Sequence, residues 1–243
     1  FLGRGPNVPG FGVNQVNNNR LFVLQDTYTF SPTLINEARI GINFLRVNGH
    51  PQEPVKDSDI GITRSNAAAS PGLGLIQINP SANGVAIGTA PLIDVQAFGF
   101  SLTFADTVSY TRGKHFFRFG TDIRYNQNNS VLNGFSRGQI VFNNFNDFLA
   151  GNPFVTVFAS GINTRSFRVT DYHFFAQDDW KVTPKLTLNL GLRYELDPPA
   201  TDTRGRIATF DPALYVPRPA VGGAVVGPPL AGYVQAGNVI PAY

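Results

Sequence analysis

The chain has 243 residues, 14% of them charged, a net charge of +3, and neither cysteine nor methionine. So low a charged fraction, against roughly 25% in soluble globular chains, excludes an ordinary aqueous surface. The small, dispersed positive charge excludes nucleic acid as a partner, and the missing cysteine removes disulfide frameworks and thiolate metal sites. No run of about eighteen apolar residues occurs, which excludes a transmembrane helix, while a mean hydropathy of −0.06 is what strands with one polar face give. The 21 phenylalanines, 25 glycines and 18 prolines suit aromatic strands separated by irregular connections. A chain starting at Phe1 with no methionine and no signal segment is expected to be an internal or processed piece.

In chain order, the first hairpin is expected near 20–46. Asp26, Tyr28 and Phe30 precede a Ser31-Pro32-Thr33 turn, and on the return Ala38, Ile40, Ile42 and Phe44 oppose Glu37, Arg39, Gly41 and Asn43. A connection follows near 47–97. The second hairpin, near 102–127, turns at Arg112-Gly113-Lys114; Phe117, Phe119, Ile123 and Tyr125 then oppose Arg118, Gly120, Asp122 and Arg124. Another connection runs near 128–164, with one short helical turn expected from Phe145, closed by Gly151 and stopped by Pro153. The third hairpin, near 166–196, has the clearest face separation. After Thr183-Pro184-Lys185, Leu186, Leu188, Leu190, Leu192 and Tyr194 share one parity, and Thr187, Asn189, Gly191, Arg193 and Glu195 share the other. From 197 onward the Pro- and Gly-rich composition predicts a loop.

All three hairpins share one design: an Asp, apolar or aromatic residues at two-residue spacing, a short turn, and a return strand with separated faces. Arms of roughly ten residues match a tilted strand crossing the hydrocarbon layer. Short turns alternating with long connections is the asymmetry of outer-membrane barrels, whose turns are periplasmic and whose loops are extracellular. The expected fold is therefore an all-β, antiparallel transmembrane β-barrel wall, partial, with about eight to ten strands, forming one barrel domain over 1–243 in the cell outer membrane. Asp26, Asp106 and Asp178 fall on the apolar parity. Each sits either at the membrane interface or beside a bulge that shifts the register.

Four segments, LQDTYTFSPTLINEARIGINFLRVNG (24–49), FADTVSYTRGKHFFRFGTDIRYNQ (104–127), NDFLAGNP (146–153) and FFAQDDWKVTPKLTLNLGLRYE (174–195), together resemble the barrel of TonB-dependent transporters of the Oar-like group. The resemblance covers about half the chain and nearly all of its strand-like part. It implies a roughly 22-stranded outer-membrane barrel occluded by an N-terminal plug and energised by the TonB complex. No plug-like segment or TonB box is recognisable in the sequence.

The charges on the polar parity, Glu37, Arg39, Arg118, Asp122, Arg124, Arg193 and Glu195, are the candidate lumen-facing set. They either bias which solute passes or pair with one another and with a plug. Tyr28, Tyr110, Tyr172, Trp180 and Tyr194 are the candidate aromatic girdle. His50, His115 and His173 lack metal-ligand spacing and are read as interfacial or turn histidines, whereas Asp57-Ser58-Asp59 and Asp178-Asp179 lack the spacing of a calcium loop and are read as solvated turn carboxylates. Gly72-Leu73-Gly74 lacks the continuation of a phosphate loop and is read as a connection. With no nucleophile elbow, no catalytic residue and no cofactor are expected. The expected function is energised movement of a bulky, unidentified solute, with outer-membrane lipid and the TonB complex as partners. The alternatives are a barrel-based adhesive or structural surface protein and, further off, a soluble carbohydrate-binding β-sandwich. The sandwich would bury the Leu186–Leu192 face against a second sheet.

Overall fold

Six long strands are punctuated by two-residue turns whose chemistry dictates them. The computed structural model describes residues 6–64, 67–68, 70–82, 84–92, 95–159, 161, 163–215, 220–221, 224–225 and 232–235. In it, β1 (Val13–Ser31) and β2 (Leu34–Pro51) join through Pro32-Thr33, and β3 (Val95–Arg112) and β4 (His115–Leu132) through Gly113-Lys114. The last pair, β5 (Thr164–Thr183) and β6 (Leu186–Leu196), joins through Pro184-Lys185. Proline presets φ for the first turn residue. The hydroxyl before it completes the turn: Ser31 Oγ accepts from the Thr33 N–H at 3.3 Å and Thr183 Oγ1 from the Lys185 N–H at 3.2 Å. The middle turn has no proline and uses Gly113 at φ +61°.

The strands pair in sequence order as a meander, β1 to β6, with the two-residue strand Thr201–Asp202 added on β5. Antiparallel pairing holds across the long connections as well. The Thr111 N–H donates to the Thr33 carbonyl and the Lys181 N–H to the Lys114 carbonyl, both at 2.8 Å, so turn-proximal ends lie side by side. β1 and β6 are the two edges of the sheet. Among the described residues the sheet has seven members, and apolar segments of the connections pair with one another in a separate four-stranded sheet.

The strands also run further than the sequence pattern indicates, leaving connections of only 52–94 and 133–163. Arg46, Asn48 and His50 put polar groups on the otherwise apolar parity of β2, and Asn126, Gln127, Asn128 and Asn129 put them on both parities of β4, while the chain stays extended. Hydrophobic alternation therefore gives no signal there, although the ladder continues.

Contacts group the chain into two units, and the second comprises Val23–Ile42, Ser101–Asn128 and Arg165–Tyr243. Its pairing is clearest between β5 and β6. One register slip between Leu186 and Thr187 sets Leu188 opposite Trp180, Leu190 opposite Asp178, Leu192 opposite Ala176, Tyr194 opposite Phe174 and Leu196 opposite Tyr172. The other parity sets Asn189 opposite Asp179, Gly191 opposite Gln177, Arg193 opposite Phe175 and Glu195 opposite His173. On that polar face the Phe175 ring lies over Gly120, where an added Cβ would come within 2.3 Å of the ring. The tail beyond Tyr215 lies largely outside the described residues.

The first unit comprises Phe1–Phe22, Asn43–Phe100 and Asn129–Thr164. In it the two inter-hairpin connections fold upon each other. Leu75–Ile78 pairs antiparallel with Ala86–Ile87 and parallel with Gln139–Phe142, which pairs antiparallel with Val155–Val157. Phe11, Leu73, Ile76, Ile78 and Phe142 form its buried core, and every buried hydrophobic side chain among the described residues belongs to this unit. Two arginines fasten the connections together. Arg64 pairs with Asp57 and donates to the carbonyls of Ser70 at 2.9 Å, Gly72 at 2.9 Å and Ser136 at 3.2 Å. Arg137 donates to Glu53 at 2.7 Å and to the Pro71 carbonyl at 2.5 Å. Buried charges are tolerable only when so fully satisfied.

One sequence expectation changes here. Asp57 is not a solvated carboxylate but a buried one, 5% exposed, because Arg64 neutralises it. Leu73 lies in the connection, as expected, and its side chain joins the core; Gly74 beside it is required, since a Cβ there would stand 2.2 Å from the Arg137 carbonyl. The short helix forms where expected, at Phe145–Leu149, with the Asn144 side chain accepting from the Asp147 N–H at 2.9 Å and Gly151 at φ +65°.

Replacing Phe142 by Ala removes a core ring that meets Phe148 edge-on at 5.3 Å, and should cost about 3–5 kcal/mol. Limited proteolysis of the protein in detergent should then cut within 52–94 and 133–163 at lower protease concentration. An unchanged cleavage pattern would contradict a core shared by the two connections.

Candidate functional site

The polar parity of the strands carries no single converging site but several separate ion pairs. Arg118 on β4 approaches Asp179 on β5 at 3.8 Å, Asp122 approaches Arg124 along β4 at 3.8 Å, and Arg193 pairs with Glu195 along β6. Five of the seven charges are thus engaged with a neighbour of opposite sign, four of them with each other and Arg118 with Asp179. Glu37 and Arg39 are exposed on β2 and form no ion pair among the described residues. Around the pairs runs a hydrogen-bonded row: Ser101 donates to Asn126 at 2.8 Å, Asn126 to Asp171 at 3.4 Å, and Gln177 to Asp179 at 3.0 Å. Asp171 and Asp179 were not among the sequence candidates, although the parity of β5 places both on the polar face.

The leucine parity carries a run of stacked rings near the short turns. Trp180 stacks on His115 at 5.3 Å, His115 on Phe117 at 5.4 Å, and Phe117 on Tyr110 at 6.4 Å, crossing β5, β4 and β3. Tyr28 on β1 meets Phe30 edge-on at 4.6 Å. Tyr172 and Tyr194, the latter opposite Phe174, lie toward the other end of the leucine row, roughly 26 Å and roughly 20 Å of strand from Trp180. Between the two tiers the leucines stand open: Leu188 is 38% and Leu192 75% exposed. No second sheet covers them among the described residues, so the β-sandwich reading loses its required contact.

Two of the acids that broke the alternation are resolved. Asp178 opposes Leu190 on the leucine face despite the register slip, and its carboxylate meets His115 Nδ1 at 2.7 Å. Asp106 shares the parity of Val108 and Tyr110, and the Asn36 side-chain amide donates to both its carboxylate oxygens at 3.0 Å. Each acid stays on the apolar face with a polar partner from a neighbouring strand.

The sequence matches the family described as outer membrane beta barrel domain over residues 2–241, nearly the whole chain. The chain belongs to that family. No curated protein and no solved structure gives a match. As an outer membrane beta barrel domain it resides in the outer membrane, and its open meander is part of a barrel wall, the fold class that the hairpin pattern predicts. In that setting the partnered acids have a physical reason. A lone carboxylate on an apolar face next to hydrocarbon is costly, and a cross-strand donor offsets the cost while adding a side-chain tie to the backbone ladder.

Replacing His115 by Leu should therefore destabilise the barrel by about 1–3 kcal/mol through the stranded Asp178. Adding Asp178→Leu to that variant should recover part of the loss, with a coupling of about 0.5–3 kcal/mol between the two positions. Urea unfolding midpoints in detergent micelles measure both. Strictly additive effects would show that the contact at 2.7 Å carries no coupling.

Proposed function

We propose that the chain forms part of the wall of a TonB-dependent-type transporter of the Oar-like group, moving a bulky solute across the outer membrane without bond chemistry. The observation that carries the reading is the six-strand meander with β1 and β6 both left as edges, built from the hairpins whose strings resemble that group. Free edges are untenable in hydrocarbon, so such a wall closes only with further strands, as a wide barrel does. In this reading the leucine face meets lipid, with Tyr28, Tyr110, Tyr172, Trp180 and Tyr194 as girdle residues. Glu37, Arg39, Arg118, Asp122, Arg124, Arg193 and Glu195 face the lumen. Pairing of four of them with one another, and of Arg118 with Asp179, keeps the interior wet while limiting its net charge, which suits passage of a large solute with few fixed charges of its own. Contact with the TonB complex would come from other parts of the full-length protein.

A second reading is a barrel-based adhesive or structural surface protein without active transport. It draws on the packed core of the two connections, which gives the loops a preformed surface. Site-specific photo-crosslinking of the full-length protein in cells to the periplasmic domain of TonB separates the two. The transporter reading expects a crosslinked product and loss of solute accumulation when TonB is deleted. A barrel that reaches the outer membrane yet gives neither supports the adhesive reading.

A further inference from the structure

On the apolar parity, at the ends of the strands remote from the short turns, the row of hydrophobic side chains gives way to two arginines. Arg20 on β1 and Arg46 on β2 line one groove of about 320 Å³ together with Asn18, Phe22, Phe44 and Phe98. Phe44 and Phe100 pack at 5.2 Å, which ties β2 to β3 at this level. Residues 20 and 22 share one parity of β1, 44 and 46 one parity of β2, so each strand presents a phenylalanine followed by an arginine one step further from its turn. Both guanidinium groups are exposed and make no hydrogen bond or ion pair with any described residue, and no carboxylate lines the groove. They differ in this from Arg64, Arg137 and Arg118, each of which has an acidic partner.

We propose that this groove binds a phosphate-bearing lipid of the outer leaflet, its acyl chains against Phe22, Phe44 and Phe98 and its phosphate between Arg20 and Arg46. The assignment rests on the reading that the leucine face meets lipid and that the short turns are periplasmic, which sets the groove at the level of the outer-leaflet head groups. Charge complementarity selects the occupant. Each unpaired guanidinium presents a planar fork of donors that matches phosphate oxygens, and the aromatic lining beside them favours an amphiphile over a purely aqueous anion. The site would attach lipid to the wall next to β1, where ordered acyl chains shield apolar side chains on both parities of Leu21–Leu24.

The test uses the full-length protein, refolded and reconstituted into phosphatidylcholine nanodiscs doped with either lipid A or its dephosphorylated form, with bound lipid counted by native mass spectrometry. Wild-type protein should retain lipid A and lose about tenfold or more of that retention for the dephosphorylated lipid. The Arg20→Gln/Arg46→Gln protein should lose retention of lipid A by a similar factor, and the Arg20→Lys/Arg46→Lys protein should recover part of it. Because the lipid comparison is made on the wild type, a variant that fails to fold does not blunt the test. Equal retention of the two lipids by the wild type would overturn the proposal, as would full displacement of lipid A by inorganic phosphate, which would indicate a free-anion site. Retention of neither lipid would also overturn it without bearing on whether the face meets bulk lipid; loss of TonB crosslinking alone would leave the lipid result standing.

Discussion

A strand that crosses hydrocarbon must satisfy its backbone N–H and C=O groups on both sides without help from water, and the organisation of the wall follows from that requirement. It demands neighbours at every step, which the meander β1 to β6 provides in the simplest order, each strand pairing with its predecessor and successor in the chain. It also demands that the ladder reverse tightly at one end. Pro32 and Pro184 with their preceding hydroxyls, and Gly113 with its positive φ, are local solutions to that reversal. Once the ladder is fixed, the period of two assigns every side chain to a face, and a single slip at Leu186/Thr187 is enough to set the leucines of β6 against the apolar parity of β5.

The two units solve different stability problems. The turn-proximal unit has no buried apolar core among its described residues. Its cohesion is backbone pairing, ring stacking from Trp180 through His115 and Phe117 to Tyr110, and cross-strand polar ties such as Asn36 with Asp106. A sheet whose apolar side faces lipid needs no interior to bury it against. The other unit contains the long connections, and there the ordinary hydrophobic effect is at work. It answers with a small four-stranded sheet, a core around Ile76 and Phe142, and two buried arginines that link Glu53, Asp57, Pro71 and Ser136.

The wall was legible in the sequence because its determinants are local. Turn residues lie next to the strands they reverse, and alternation is visible within one strand, so the hairpins, their turns and the parity of Arg193 and Glu195 follow from inspection of a dozen residues at a time. What was not legible depends on distant partners. The parallel pairing of Leu75–Ile78 with Gln139–Phe142 joins two four-residue segments far apart in the chain, each too short to show a period. A hint was present: both are largely apolar runs preceded by glycine, at Gly74 and Gly138, and a Cβ at Gly74 would stand 2.2 Å from the Arg137 carbonyl. The acids on the apolar parity were likewise ambiguous until Asn36 and His115 appeared beside them from other strands. Strand ends run past the hydrophobic alternation where polar residues take over the apolar parity, as at Arg46, Asn48 and His50 of β2 and Asn126 to Asn129 of β4, because pairing persists there after the hydrophobic signal has stopped.

The central claim is that the two parities of β6 face different solvents, lipid on the leucine side and water on the other. The sequence has no cysteine, so single cysteines placed one at a time from 186 to 196 in the full-length protein report each position's surroundings without background from this segment. With the protein in its native outer membrane, spin labels at Leu188, Leu190 and Leu192 should be broadened by oxygen and protected from an aqueous nickel chelate, whereas labels at Asn189, Gly191 and Arg193 should show the reverse. A uniform response along the strand, or protection on both parities, would contradict the account.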